Sequence, residues 1–230
     1  MSSSNGDMVS FTGNGSTCSG YLAVPQSGKG PGVVVIQEWW GLVPHIRNVA
    51  DRLAREGFLA LAPDLYHGET TTSPDRAGKL MMSMRIDGAE QDLRGAAEFL
   101  LKHPNVASGK VGTVGFCMGG ALSLYAATKN PKVGGCVVFY GGHPNVKPDL
   151  PNLVAPMLGF YAGRDTFVTP DSVKTLEREL KSLGKQATIH VYPDVDHGFF
   201  NDTRPEVYNK QRAGEAWAEM IKFFRKHLAG

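Results

Sequence analysis

Apolar residues fall in short runs separated by stretches of helical period. GVVVIQE at 32–38 is a continuous apolar run ending on two polar residues, the pattern of a strand buried on both faces. Val43, Ile46, Val49, Ala50, Leu53 and Ala54 then recur at helical spacing until Gly57, predicting a helix over 43–56. FLALAP at 58–63 predicts the next strand. The alternation continues with strands at 110–115, 136–141, 156–163 and 187–193 and helices at 118–129, 170–183 and 205–228. Residues 74–101 predict two helices broken near Asp87–Gly88. Ahead of all these, 7–13 and 16–25 predict an antiparallel hairpin around a Gly/Asn turn.

Repeated strand–helix alternation implies an α/β fold: a mostly parallel sheet of about eight strands with helices on both faces. The length, 230 residues, suits a single domain over 1–230. Active sites of such sheets lie beyond the carboxyl ends of the strands. The residues to inspect are therefore Glu38–Trp39–Trp40, Asp64–Tyr66, Cys117, Gly141–His143, Arg164–Asp165 and His197.

Composition narrows the partners. A formal charge of +2, with no Lys/Arg cluster longer than a pair, gives no footprint for nucleic acid or acidic membrane. The opening MSSSNGDMVS lacks the pattern of a signal peptide, and the longest aliphatic run, Val33 to Ile36, is far too short to span a bilayer. Cys18, Cys117 and Cys136 are odd in number, widely spaced and without a CxxC pair, which argues against a disulfide framework or a structural zinc site. A cytoplasmic protein, monomeric or weakly self-associating, is expected.

The chemistry starts at VGTVGFCMGGALSL, 111–124, where a strand runs into a helix through Gly-x-Cys-x-Gly. A nucleophile on so tight a turn needs room two residues away on either side. Gly115 and Gly119 supply it, and Gly120 allows close packing of helix on strand. This resembles the nucleophile elbow of the α/β-hydrolase fold, with cysteine in the serine position. The following helix directs its N-terminal dipole at the sulfur and favours thiolate, and the Met118 N–H faces a developing oxyanion. The plainer reading of Cys117 is a small buried residue, which most free cysteines are. Its place between an aliphatic strand and an apolar helix favours the nucleophile.

In this fold the nucleophile is followed in the chain by an acid and then a histidine. Asp165 and His197 follow Cys117 in that order, each just after a strand. Asp165 would orient the ring of His197, whose other nitrogen faces the sulfur. Asp194 and Asp196 lie so close to His197 that turn chemistry explains them better. His143 comes too early for the base, and His45, His67, His103, His190 and His227 read as surface or strand residues. The loop after 32–38 commonly donates the second oxyanion N–H, which nominates Trp39. Glu38 is either a solvated strand end or a partner of the sulfur. Trp40, Tyr140 and Phe199 suggest an apolar wall around a small substrate.

QEWWG at 37–41, APDLY at 62–66, GFCMGG at 115–120, AGRD at 162–165 and DHGF at 196–199 together resemble the dienelactone hydrolase (carboxymethylenebutenolidase) family. The resemblance implies a Cys117–His197–Asp165 triad, with Glu38 interacting with the resting thiol. It implies hydrolysis of a small unsaturated lactone carrying a carboxylate, through an acyl-enzyme and without cofactor or metal. It also implies arginines for that carboxylate. In the segment after APDLY, Arg76 is the candidate, ahead of Arg85. Directly after His197 stand Gly198, Phe199, Phe200 and Asn201, with Arg204 only further on, so a related lactone, enol ester or thioester remains open. A small peptidase or thioesterase on the same fold, or a silent binding protein, are the competing readings.

Overall fold

A computed structural model of the chain describes residues 6–228; the reading of a missing leader concerns, in part, residues 1–5, outside that range. The strands are β1 (Gly6–Gly13), β2 (Ser16–Ala23), β3 (Gly32–Ile36), β4 (Leu59–Pro63), β5 (Val111–Phe116), β6 (Val133–Phe139), β7 (Met157–Ala162) and β8 (Ala187–Tyr192). They form one sheet in the order β1-β2-β4-β3-β5-β6-β7-β8. β1 pairs antiparallel with β2, and β2 antiparallel with β4; every later pairing is parallel.

The helices are α1 (Pro44–Arg55), α2 (Pro74–Ser83), α3 (Ile86–Lys102), α4 (Met118–Lys129), α5 (Pro170–Ser182) and α6 (Lys210–Leu228). The pleat explains why β3 is apolar throughout. Val33 and Val35 pack with Ile46, Val49 and Leu53 of α1 and Phe224 of α6, whereas Val34 and Ile36 pack with Leu93 and Leu100 of α3 and Leu122 of α4. Each such side chain contributes about 1.5–3 kcal/mol by leaving water. Two-sided burial therefore fixes the register of the central strands and with it the relative heights of their ends.

Three boundaries differ from the periodicity. The α2–α3 break lies at Met84–Arg85, both in extended backbone, and Gly88 sits inside α3. Asp87 belongs instead to the first turn of α3, where a carboxylate favours the helix dipole. α6 begins at Lys210 rather than 205, because residues 205–207 are turns that place Arg204 on a loop. β6 begins at Val133, three residues before the aliphatic run. Among the described residues no helix is long and apolar enough to cross a membrane.

Candidate active site

The carboxyl ends of β3, β5, β7 and β8 bring Glu38, Cys117, Asp165 and His197 together. Cys117 has φ 53° and ψ −120°, a conformation that L residues rarely adopt. Strain of this kind costs about 1–3 kcal/mol and persists only where the surroundings impose it. They do so here. A Cβ on Gly115 would stand 1.9 Å from the Gly119 carbonyl oxygen, one on Gly119 2.4 Å from those of Ile36 and Gln37, and one on Gly120 2.7 Å from Gly141 Cα. The Cys117 N–H donates to Phe139 O at 3.0 Å, and its own carbonyl accepts from Gly120 at 2.9 Å and Gly142 at 3.2 Å. The three glycines do what the motif requires of them.

Asp165 is buried directly after β7. Its Oδ1 accepts the N–H groups of Phe167 (2.8 Å) and Val168 (2.9 Å), and its Oδ2 lies 2.6 Å from His197 Nδ1. The carboxylate is thus fixed by backbone before it fixes the ring. His197 and Cys117 line the same cavity. Burial alone would lower the His197 pKa, but the hydrogen bond to Asp165 and the charges of Cys117 and Asp165 outweigh that and raise it to about 10. The ring is flanked by Tyr140 at 4.9 Å and Phe167 at 5.8 Å. Of the alternative acids, Asp194 pairs with Arg212 at the surface and Asp196 is exposed.

Glu38 is buried, not a solvated strand end. Its Oε1 accepts from the Tyr140 hydroxyl at 3.4 Å and its Oε2 from Asn201 Nδ2 at 2.7 Å. The Thr203 N–H and hydroxyl both donate to Asn201 Oδ1, which orients the amide so that its NH2 faces Glu38. Burial, then the charges of Glu38 and Cys117, push the Tyr140 hydroxyl well above its usual range, so it keeps its proton and donates.

Cys117 and His197 open on a cavity of about 350 Å³ whose walls include Trp39, Trp40, Met81, Phe167 and Arg204. The volume suits a small molecule. Met118 stands at the first position of α4, where the N–H has no intrahelical acceptor. The Tyr66 hydroxyl donates to Met118 Sδ at 3.3 Å, and Asp64 shapes the turn carrying Tyr66 by accepting the Tyr66 and Gly68 N–H groups. His143 Nε2 meets Met81 O at 3.1 Å and its Nδ1 accepts the Asn145 N–H, so it anchors α2 as a neutral ring. Burial lowers its pKa accordingly.

Three expected substrate contacts need correction. Arg76 is exposed and paired with Glu69, away from the cavity, because α2 turns it outward. Tyr140 and Phe199 are fully buried behind the wall, packed on each other at 5.4 Å. Arg204 is the arginine that reaches the cavity. Its guanidinium lies 6.0 Å from the Trp40 ring, and its Nε donates to Glu206 at 2.8 Å. It belongs to no periodic element, so its spacing from His197 gave no signal. Trp40 and Arg204 also line a second cavity of about 560 Å³. His45 borders it, buried and 3.0 Å from Asp202 rather than at the surface.

The eight-stranded sheet, the glycine-lined elbow and the acid–histidine pair beside it define a carboxylic-ester hydrolase of the α/β-hydrolase fold. The chain belongs to the dienelactone hydrolase family, whose pattern it matches over residues 18–228. It is 40% identical to Protein usf of Aquifex pyrophilus, covering 97% of this chain and 99% of that protein. It is 37% identical, with the same coverage, to a candidate carboxymethylenebutenolidase of Aquifex aeolicus. The crystal structure of a candidate dienelactone hydrolase from Klebsiella pneumoniae superposes with a TM-score of 0.85 at 30% identity, covering 96% of this chain and 99% of that one.

Proposed function

We propose that this protein hydrolyses small lactones and enol esters that carry a carboxylate, through an acyl-thioester on Cys117. The observation that carries the reading is the meeting of Cys117, His197 and Arg204 around one cavity of about 350 Å³. The Cys117 thiolate, paired with the His197 imidazolium, attacks the ester carbonyl carbon. The developing oxyanion is met by the backbone N–H groups of Met118 and Trp39. As the tetrahedral adduct collapses, the carbon–oxygen bond breaks and His197 gives its proton to the departing oxygen. In a lactone that oxygen stays tethered to the acyl group. Water, deprotonated by His197, then attacks the thioester and expels the sulfur, releasing the acid. Asp165 keeps the ring in register through both steps.

A thiolate is a fitting nucleophile where the leaving oxygen is already activated, as in an enol. It suits amide nitrogen less, which sets the reading apart from a peptidase. Arg204 would hold the substrate carboxylate, and Glu38, held by Tyr140 and Asn201, would set the negative field beside the sulfur. Three free thiols suit a reducing compartment such as the cytoplasm.

The test is a panel of p-nitrophenyl acetate, cis- and trans-dienelactone and a dipeptide amide, run with wild type, Cys117→Ala and Cys117→Ser. Lactone turnover that disappears in Cys117→Ala supports the proposal. Turnover of the simple ester alone keeps the nucleophile and removes the lactone. Undiminished activity in Cys117→Ala refutes the mechanism.

A further inference from the structure

The sequence holds no CxxC pair, yet the fold gathers three ligand types from distant positions. Cys18 lies on β2, His67 in the turn after β4, and Asp92 in α3. The sulfur, ring nitrogen and carboxylate oxygen all lie within 4.8 Å of one another. Cys18 Sγ is 3.1 Å from Asp92 Oδ1, and His67 Nε2 is 3.5 Å from Asp92 Oδ2. None of the three lines the cavity at Cys117.

Each ligand is held by its own element. The Cys18 and Asp92 side chains are buried, whereas that of His67 is 57% exposed and leaves one side of the cluster open to solvent. The His67 turn is fixed by the Asp64 carboxylate, which accepts the N–H groups of Tyr66 and Gly68. His67 has φ 52° and Gly68 φ 102°, so a side-chain-bearing residue is kept in the left-handed region where its ring faces Asp92. Gly13 supplies the room. A Cβ there would stand 2.9 Å from Cys18 Sγ and 3.0 Å from Asp92 Oδ1.

Among the described residues, the partners of the buried Asp92 side chain are the Cys18 thiol, a weak donor, and the half-open His67 imidazole. The plainer account is a hydrogen-bonded cluster, but the three groups are also the ligand types that a divalent cation takes together. Zinc accepts sulfur, nitrogen and oxygen ligands at about 2.0–2.3 Å in tetrahedral array, which places neighbouring ligand atoms roughly 3.3–3.7 Å apart. The spacings at Cys18, His67 and Asp92 need only shifts of a few tenths of an ångström to a little over one.

We propose that Cys18, His67 and Asp92 form a three-ligand zinc site, its fourth position open to water on the His67 side. Binding forms bonds from zinc to Cys18 Sγ, His67 Nε2 and an Asp92 oxygen, and releases the thiol proton to solvent. The ion ties β2, the 64–68 turn and α3 together. That turn also carries Tyr66, whose hydroxyl reaches Met118 beside Cys117.

Cobalt(II) titration of the full-length Cys117→Ala protein tests the site with the other thiol–imidazole pair removed. One equivalent of Co2+ is expected to produce a near-ultraviolet sulfur-to-metal charge-transfer band that Zn2+ displaces. Cys18→Ser should abolish the band. His67→Asn, which keeps a residue tolerant of positive φ, should weaken Co2+ binding by about tenfold or more. No band, or a band that survives both substitutions, overturns the site. If Cys18→Ser does not fold, unchanged affinity in His67→Asn overturns it and weakened affinity supports it.

Discussion

Arg204→Gln separates recognition from chemistry. Arg204 is tied to the protein through Nε to Glu206 at 2.8 Å, in a pair whose side chains are 35% and 59% exposed. Such a pair contributes about 0–1 kcal/mol, so glutamine should leave the fold intact. A charge-assisted hydrogen bond to a bound carboxylate contributes about 1.5–3 kcal/mol, or about 10- to 150-fold. Partial exposure places Arg204 toward the lower end, about 10- to 30-fold. The assay compares kcat/KM for dienelactone and for p-nitrophenyl acetate in wild type, Arg204→Gln and Glu206→Gln. The lactone value should fall by that factor in Arg204→Gln, the neutral ester by less than about twofold, and Glu206→Gln should spare both. Equal losses on the two substrates would refute carboxylate binding, as would no loss on either.

Iodoacetamide at neutral pH should label Cys117 first, because burial pushes the Cys18 and Cys136 thiols up to about 11; peptide mass mapping checks the order, and prior labelling of Cys18 or Cys136 would contradict it. The His197 pKa is raised to about 10 from an ordinary 6.5, so its pairing stabilises the fold fully below pH 6.5 and progressively less as pH climbs through 10. Denaturation of wild type against His197→Gln should show a stability gap that narrows over that window; a gap widening with pH would reverse the assignment. Gly115→Ala places a Cβ 1.9 Å from the Gly119 carbonyl oxygen and should cost about 3 kcal/mol, a fall of about 6–12 °C in Tm by calorimetry. A Tm within about 2 °C of wild type would mean that the elbow yields easily.

The parts of this protein that a sequence reader can see are those with a local rule behind them. β3 and β5 show as apolar runs because both faces are covered, and the elbow glycines show because Gly-x-Cys-x-Gly-Gly falls where an apolar strand pattern meets a helical one, although the atoms that crowd Gly119 and Gly120 lie on Ile36, Gln37 and Gly141. Order along the chain then singles out Asp165 and His197. The break at Met84–Arg85 was hidden because neither residue is a helix breaker, while Asp87–Gly88 looks like one and starts α3 instead. Arg204, Asn201 and Phe167 reach the site from irregular loops, whose path no period encodes. Tyr140 and Phe199 looked like wall residues because aromatic character alone does not say which side of a wall a ring occupies. Arg76 failed for the opposite reason: its helix was expected, but the facing of its side chain follows from tertiary packing.

Trp40 and Arg204 border both the cavity at Cys117 and its larger neighbour. The capacity of the site is therefore a property of two side chains rather than of the backbone. A half-exposed arginine samples rotamers on the nanosecond scale, far faster than any lid moves. Volume next door can thus be lent to a bulkier substrate without disturbing the elbow. Drift at position 40 or 204 would let a lineage of such enzymes change diet while its reacting atoms stayed in place.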